Sequence, residues 1–216
     1  PKTATTLTLG TTGDTVDIPS GVTLSGAGTI TASAANLAAS GAGGVTGTLP
    51  IANGGTGATT LMGAGLTNRP AFSAQLGFND SQSIVDGVMT KCEIDTVYFD
   101  TDSAYDATTN YRFTIPAGEG GNYLFQWGIY SYAANTSSNI QYCNVTIRKN
   151  GSDYIASGYD FRDNEIRAAH YGQSGAFDCA AADYFELWGQ VKVNSGTPSF
   201  YGGARQTFFG AIKLLT

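Results

Sequence analysis

Along residues 70–216, apolar and polar side chains alternate with a period of two. Phe72–Leu76, Val97–Asp100, Tyr111–Ile115, Tyr123–Tyr132, Gln141–Lys149, Tyr184–Val193 and Gln206–Leu215 all follow this pattern. Such alternation puts successive side chains on opposite faces of a strand and makes one face apolar. Turn-forming residues break the runs: Pro116, the Gly118–Gly121 stretch and the hairpin dipeptide Asn150-Gly151. Helical periodicity is almost absent. The pattern predicts about eight short strands and an all-β sandwich or jelly roll.

Residues 1–48 alternate as well, but in short pairs: Leu7/Leu9, Val16/Ile18 and Val22/Leu24. Gly10–Gly13, Pro19–Gly21 and Gly26–Gly28 separate them. Nine Leu, Ile and Val residues in this stretch make too little core for a single chain. Sharing that core among chains gives a short intertwined β shaft, and an unstructured Gly/Thr/Ala linker is the alternative. Residues 49–69 then read as a Gly/Thr-rich connector and residues 70–216 as a globular head.

Composition sharpens the boundary. All 12 Tyr, 11 Phe and 2 Trp lie at or after Phe72, and the first 60 residues carry only Lys2, Asp14 and Asp17 as charges. So many aromatics exceed what one sandwich needs, which points to heads packed together as a homotrimer. Phe113, Tyr123, Phe125 and Phe208 are expected in the core or at that interface. The net charge of −6, with Lys and Arg scattered, argues against nucleic-acid binding. No apolar run approaches the ~20 residues of a membrane-spanning helix, so no membrane insertion is expected. Cys92, Cys143 and Cys179 form neither a disulfide framework nor a zinc motif. Free thiols suit folding in a reducing cytoplasm, and Cys143 reads as a small buried hydrophobe. No nucleophile elbow, phosphate loop, zinc-protease or EF-hand motif is present, so no enzyme activity is expected.

Two resemblances organise these readings. Leu49-Pro50, followed by Gly54-Gly55-Thr56-Gly57, resembles an element that recurs in bacteriophage tail fibres between shaft and distal head. In the head, Phe72, Phe99-Asp100, Tyr105-Asp106, Phe113, Pro116, Gly118, Gly121, Tyr123, Phe125, Val145, Ile147, Asn150-Gly151, Asp183–Leu187 and Phe208–Leu214 follow one another in order. This succession resembles the complement q-type domain, a jelly roll shared with the tumour-necrosis-factor family. The sequence departs from that family at Ala182-Asp183, where Gly-Asp is usual. The resemblances imply a homotrimeric receptor-binding tip of a tail fibre, assembled in the host cytoplasm and carried on the virion. Its N-terminal part would join an upstream tail or baseplate protein, and its head would meet a host surface glycan or protein. A purely structural fibre tip or trimerisation cap, and a non-viral lectin-like adhesion module, are the alternatives.

Two clusters carry candidate chemistry. Residues 158–171 are expected to form a loop that offers Tyr159, Asp160, Phe161, Arg162, Asp163, Asn164, Arg167, His170 and Tyr171 to a receptor, with Tyr201 in a second loop. Aromatic rings can stack on a sugar's apolar face while Asp, Asn and Arg meet its hydroxyls. Asp100, Asp102 and Asp106 sit in a predicted turn. They are candidate ligands for Ca2+, which takes several carboxylate oxygens, and the competing reading is an ordinary polar turn.

Overall fold

The computed structural model describes residues 68–133 and 139–214. The expectations for the shaft and for nearly all of the connector lie outside the described residues. Thirteen strands and no helix make up the described head, arranged as two antiparallel sheets.

The first sheet is built around β7 (Gly121–Ala133). Strand β10 (Ala168–Cys179) pairs with β7 along its full length on one side. The other side is shared by β13 (Phe208–Lys213) and β12 (Pro198–Tyr201). Thr207 seals the step between these two. Its hydroxyl accepts from the Tyr130 amide at 3.0 Å and donates to the Tyr201 carbonyl at 2.8 Å. Strands β1 (Ala71–Gln75) and β4 (Thr96–Asp100) extend the sheet beyond β13, and β2 (Ser81–Ser83) lies beyond β12.

The second sheet centres on β11 (Tyr184–Val193). β8 (Ile140–Lys149) and then β9 (Ser152–Asp160) lie on one side of it. On the other side lie β6 (Arg112–Thr114) with β5 (Tyr105–Asp106), and β3 (Thr90–Lys91). The chain crosses repeatedly from one sheet to the other, so hairpin neighbours are few and the sandwich is a jelly roll, as the alternation predicts.

Inward residues from both sheets fill the space between. On β7 these are Tyr123, Phe125, Trp127 and Ile129, all buried. Phe185, Leu187, Val191 and Val193 on β11 and Cys143, Val145 and Ile147 on β8 face them and are also buried. Phe72 stacks between Tyr105 and Phe113 with centroids 4.6 Å from each, and Phe125 meets Phe185 at 4.6 Å. Tyr105 enters this core because its hydroxyl donates to the Ile94 carbonyl at 2.9 Å. Gly189 is required opposite Phe200, because a Cβ there would lie 2.7 Å from the buried ring. All three cysteines are free and buried.

Phe113, Tyr123 and Phe125 lie in the core, whereas Phe208 is half-buried and faces outward, with Phe209 in the core beside it. One expectation needs correction. Residues 158–171 are not one loop. Tyr159 and Asp160 end β9, His170 and Tyr171 lie in β10, and only residues 161–167 connect them. Both are edge strands whose side chains are mostly exposed, so neither shows the apolar alternation that marks an inner strand.

The predicted hairpin at Asn150-Gly151 holds, with φ of 53° and 80°. The Asn150 carboxamide accepts from the Tyr184 amide at 2.9 Å and donates to Asp183 at 2.8 Å, which ties the hairpin to the start of β11. Beside it, Ala182 has φ 69°, a left-handed conformation that costs an L-residue roughly 1–2 kcal/mol. That backbone explains why glycine is usual here in the family the head resembles. Ala182→Gly should relieve this strain, less the roughly 0.5–1 kcal/mol of extra chain entropy. The expected result is a melting temperature higher by about 2–4 °C, read by circular dichroism. A lower melting temperature would contradict the assignment.

Candidate functional site

The outward face of the second sheet is laid out in rows by strand register. Lys192, Tyr142 and Asp160 stand side by side on β11, β8 and β9, and the next row is Gln190, Asn144 and Gly158. A groove of about 460 Å³ opens over these two rows, a volume within the range of small-ligand sites. Its floor is a pair of carboxamides. Asn144 Nδ2 donates to Gln190 Oε1 at 2.7 Å, and Gln190 Nε2 donates to the Gly87 carbonyl at 2.7 Å. Gly158 makes the floor possible. A Cβ there would stand 1.9 Å from Asn144 Oδ1 and 2.7 Å from the Cys143 carbonyl, so any side chain would evict the Asn144 carboxamide.

One wall is the pair Asp160–Arg162. The guanidinium Nε donates to both carboxylate oxygens, at 2.9 Å each, and Nη2 also donates to Oδ2. The Arg162 amide adds a bond at 3.1 Å. Arg162 holds the Asp160 carboxyl down to about 2. On the far side, Lys192 pairs with Asp86, whose other oxygen accepts from the Val193 amide at 2.7 Å. Further along the same face, Lys91 pairs with Glu186 at 2.6 Å, and Arg148 lies over the Trp188 ring at 4.0 Å.

The residues predicted to meet a receptor are divided among four places. Asp160 and Arg162 belong to the groove, with Tyr159 at its border. Asp163 and Asn164 lie in the turn beside it, closed by the Asn164 amide donating to the Phe161 carbonyl at 2.9 Å. The Tyr159 ring points to the opposite side of β9, where it stacks on Phe161 at 5.9 Å and meets the edge of Tyr171 at 6.0 Å. Tyr171 itself is buried. It is therefore a core residue and not a receptor contact.

Arg167, His170 and Tyr201 belong to the first sheet. Arg167 donates to the Tyr132 hydroxyl at 2.7 Å. His170 faces Tyr130 and Phe208 on the outer side of that sheet, and the Tyr201 hydroxyl bonds Asn79 at 3.1 Å. Tyr142, Asn144 and Gln190 were not singled out from the sequence. Their signal was present in the polar half of the β8 and β11 alternation, which marks the outward positions of strands that lie side by side.

The outer face of the first sheet carries an apolar patch. Phe99 is 51% exposed, and Val97 and Tyr98 beside it are also exposed. Phe99, Leu124, Phe208 and Ile212 surround a depression of about 320 Å³.

The carboxylates considered for Ca2+ do not converge. Asp100 accepts from the amides of Ala104 at 3.1 Å and Tyr105 at 2.8 Å. Asp102 pairs with Arg69 at 3.0 Å. Asp106 accepts from the amides of Thr108, Thr109 and Asn110 at 3.0, 3.0 and 3.1 Å. Among the described residues, no three His, Cys, Asp or Glu side chains form a group that could hold a metal ion. This geometry fits the competing polar-turn reading: Asp100 and Asp106 spend their oxygens on the amides of their own turns, and Asp102 is held by Arg69 and Thr101.

No family model matches the chain, and no curated protein matches it. The described fold is similar to solved structures that include the following three. The Eiger TNF of S. frugiperda is 11% identical, with a TM-score of 0.49, over 68% of this chain and 94% of that one. Murine APRIL is 12% identical, with a TM-score of 0.45, over 67% and 99%. The globular domain of the zebrafish complement 1qA protein is 11% identical, with a TM-score of 0.43, over 68% and 98%.

The turn role of Asp106 makes a prediction that Ca2+ ligation does not. The Thr109 and Thr108 amides, with Asn110, hold its carboxyl well below the usual carboxylate range. A depressed folded value stabilises the protein above the unfolded value near 4, and that stabilisation is lost as pH falls through the folded value. Asp106→Ala should lower the melting temperature at pH 7 by about 2–4 °C, the loss of about 1 kcal/mol of capping. The difference should shrink as both proteins are acidified below pH 3. Excess chelator should leave the melting curve of the parent unchanged.

Proposed function

We propose that this chain is the distal receptor-binding part of a bacteriophage tail fibre. In this reading it is a homotrimer whose head attaches the virion to a host cell-surface glycan or protein. The observation that carries the reading is the polar groove over Asn144 and Gln190, open to solvent on the outward face of the second sheet. The element Leu49–Gly57 supports the fibre context. The N-terminal part would join an upstream tail or baseplate protein, and the head would act by binding and not by catalysis.

The trimer draws support from two features. The first 48 residues have too few apolar side chains to form a core alone. The first sheet carries exposed Phe99 beside the half-buried Leu124, Phe208 and Ile212, and a contiguous apolar patch at the surface marks an interface. Three copies closing a ring through this face would leave all three grooves outward. The same apolar face also serves a purely structural cap, so the groove decides between the two readings.

Light scattering on the purified protein should give the mass of three chains at micromolar concentration. Phe99→Asp, at an exposed position, should weaken the trimer without loss of β-sheet signal. A stable parent monomer would refute the oligomer. In adsorption assays with intact trimers, Arg162→Ala should reduce attachment to susceptible cells, whereas Tyr201→Ala, on the other sheet, should not. Parent-like adsorption by Arg162→Ala, Asn144→Ala and Gln190→Ala alike would leave the structural cap as the better reading.

A further inference from the structure

Resting on the receptor-binding reading, we infer that the groove on β8, β9 and β11 is a sugar subsite selective for uncharged pyranoses, with anionic sugars excluded. The argument begins with the hydrogen-bonding groups left over in the groove. A carboxamide has two N–H donors and one carbonyl acceptor. Asn144 uses one N–H on Gln190, and Gln190 uses one on the Gly87 carbonyl. Among the described residues no donor reaches Asn144 Oδ1, and no group bonds the Tyr142 hydroxyl. The groove therefore offers a free carbonyl, two spare amide N–H groups, a phenol and the outer lone pairs of Asp160. Sugar hydroxyls both donate and accept, so they can satisfy such a mixed set. Tyr142, between Lys192 and Asp160 in register, supplies an aromatic ring beside it.

Charge decides which sugars fit. An acidic sugar needs an uncommitted cation, and the two cations flanking the groove are taken. Arg162 holds Asp160 through Nε and Nη2, and Lys192 holds Asp86. A sugar carboxylate would have to displace an aspartate that already has fork-to-fork geometry. It would also approach Asp160 and Asp163, in a chain whose net charge is −6. A neutral hydroxyl pays neither cost, and it can still accept from the guanidinium N–H groups that Asp160 leaves free. Gly158 fixes this chemistry in place, because only glycine leaves room for the Asn144 carboxamide.

The test is saturation-transfer NMR on the full chain with the methyl glycosides of glucose, galactose and N-acetylglucosamine, set against those of glucuronic acid and N-acetylneuraminic acid. At least one neutral glycoside should give signal and neither acid should. Gln190→Ala and Tyr142→Ala, each with an unchanged melting temperature, should weaken the neutral ligand about tenfold, the loss of one net hydrogen bond or ring contact. Asp160→Asn should release Arg162 and admit the acids. Acids binding the parent as well as neutral sugars do would overturn the inference, as would neutral binding that survives both groove variants. If no glycoside binds while Gln190→Ala and Tyr142→Ala lose adsorption to cells, the sugar inference fails and receptor binding stands. If they also adsorb normally, both readings fail together.

Discussion

Burial of one side chain in two along β7, β8 and β11 is the constraint on which the rest of this head depends. The side-chain period of a strand is two, so once Tyr123, Phe125, Trp127 and Ile129 are committed to the interior, Leu124, Gln126 and Tyr130 must face out. The same holds for Cys143, Val145 and Ile147, which commit Tyr142 and Asn144 to the other direction. A slip of one residue would bury the polar set and expose the aromatic one. At about 25 cal/mol per Å² of apolar surface, and with 150–250 Å² in each aromatic ring, that slip is prohibitive. The outward positions of both sheets are thus by-products of core packing, to which the loops carrying Asp86, Gly87 and Arg162 add the groove's edges.

The two surfaces are chemically unlike, and the difference follows from what covers each sheet. On the first, glycines at positions 128, 172 and 210 leave the backbone bare, and Phe208 lies across two of them, with ring atoms 2.5 Å from the Cβ that residue 128 lacks. Flat backbone with Phe99, Leu124 and Ile212 around it is surface that water solvates poorly. On the second sheet, each outward cation has an acid, a carbonyl or an aromatic ring within reach. Such a surface is content in water. It can also offer hydrogen bonds to a ligand without first breaking a packed core.

Legibility from sequence tracked burial. The inner strands β6, β7, β8 and β11 announced themselves, because half their residues are apolar and evenly spaced. The Asn150-Gly151 turn did so because its backbone needs φ above zero at both positions. Strands β9 and β10 did not. As edge strands they have one neighbour each, bury few side chains, and carry Ser, Asp, Gly and Gln where an inner strand would carry Val or Ile. Reading them as a loop joined Asp160 and Arg162, which line the groove, to His170, which lies on the other sheet. The acidic turn was ambiguous for another reason. Composition counts carboxylates without saying where they point, and Asp100, Asp102 and Asp106 all point at local backbone or at Arg69.

Tyr171 shows how a residue can serve a site that it does not touch. It lies in β10 of the first sheet, yet its hydroxyl donates across the sandwich to the Asn144 carbonyl at 3.2 Å. The hydroxyl has one proton, so the contact with Ser131 at 2.9 Å must be donated by the serine. Ser131 is fully buried and Tyr171 nearly so, which makes the pair costly to open. The backbone that carries the groove's central carboxamide is therefore pinned from beneath by a hydrogen bond between sheets, while Gly158 keeps the space above it clear. In the receptor-binding reading we propose, a surface held in this way is ordered before any ligand arrives. Little of the interaction is then lost to arranging the site, and a shallow, solvent-open groove can discriminate among ligands by chemistry and not by enclosure.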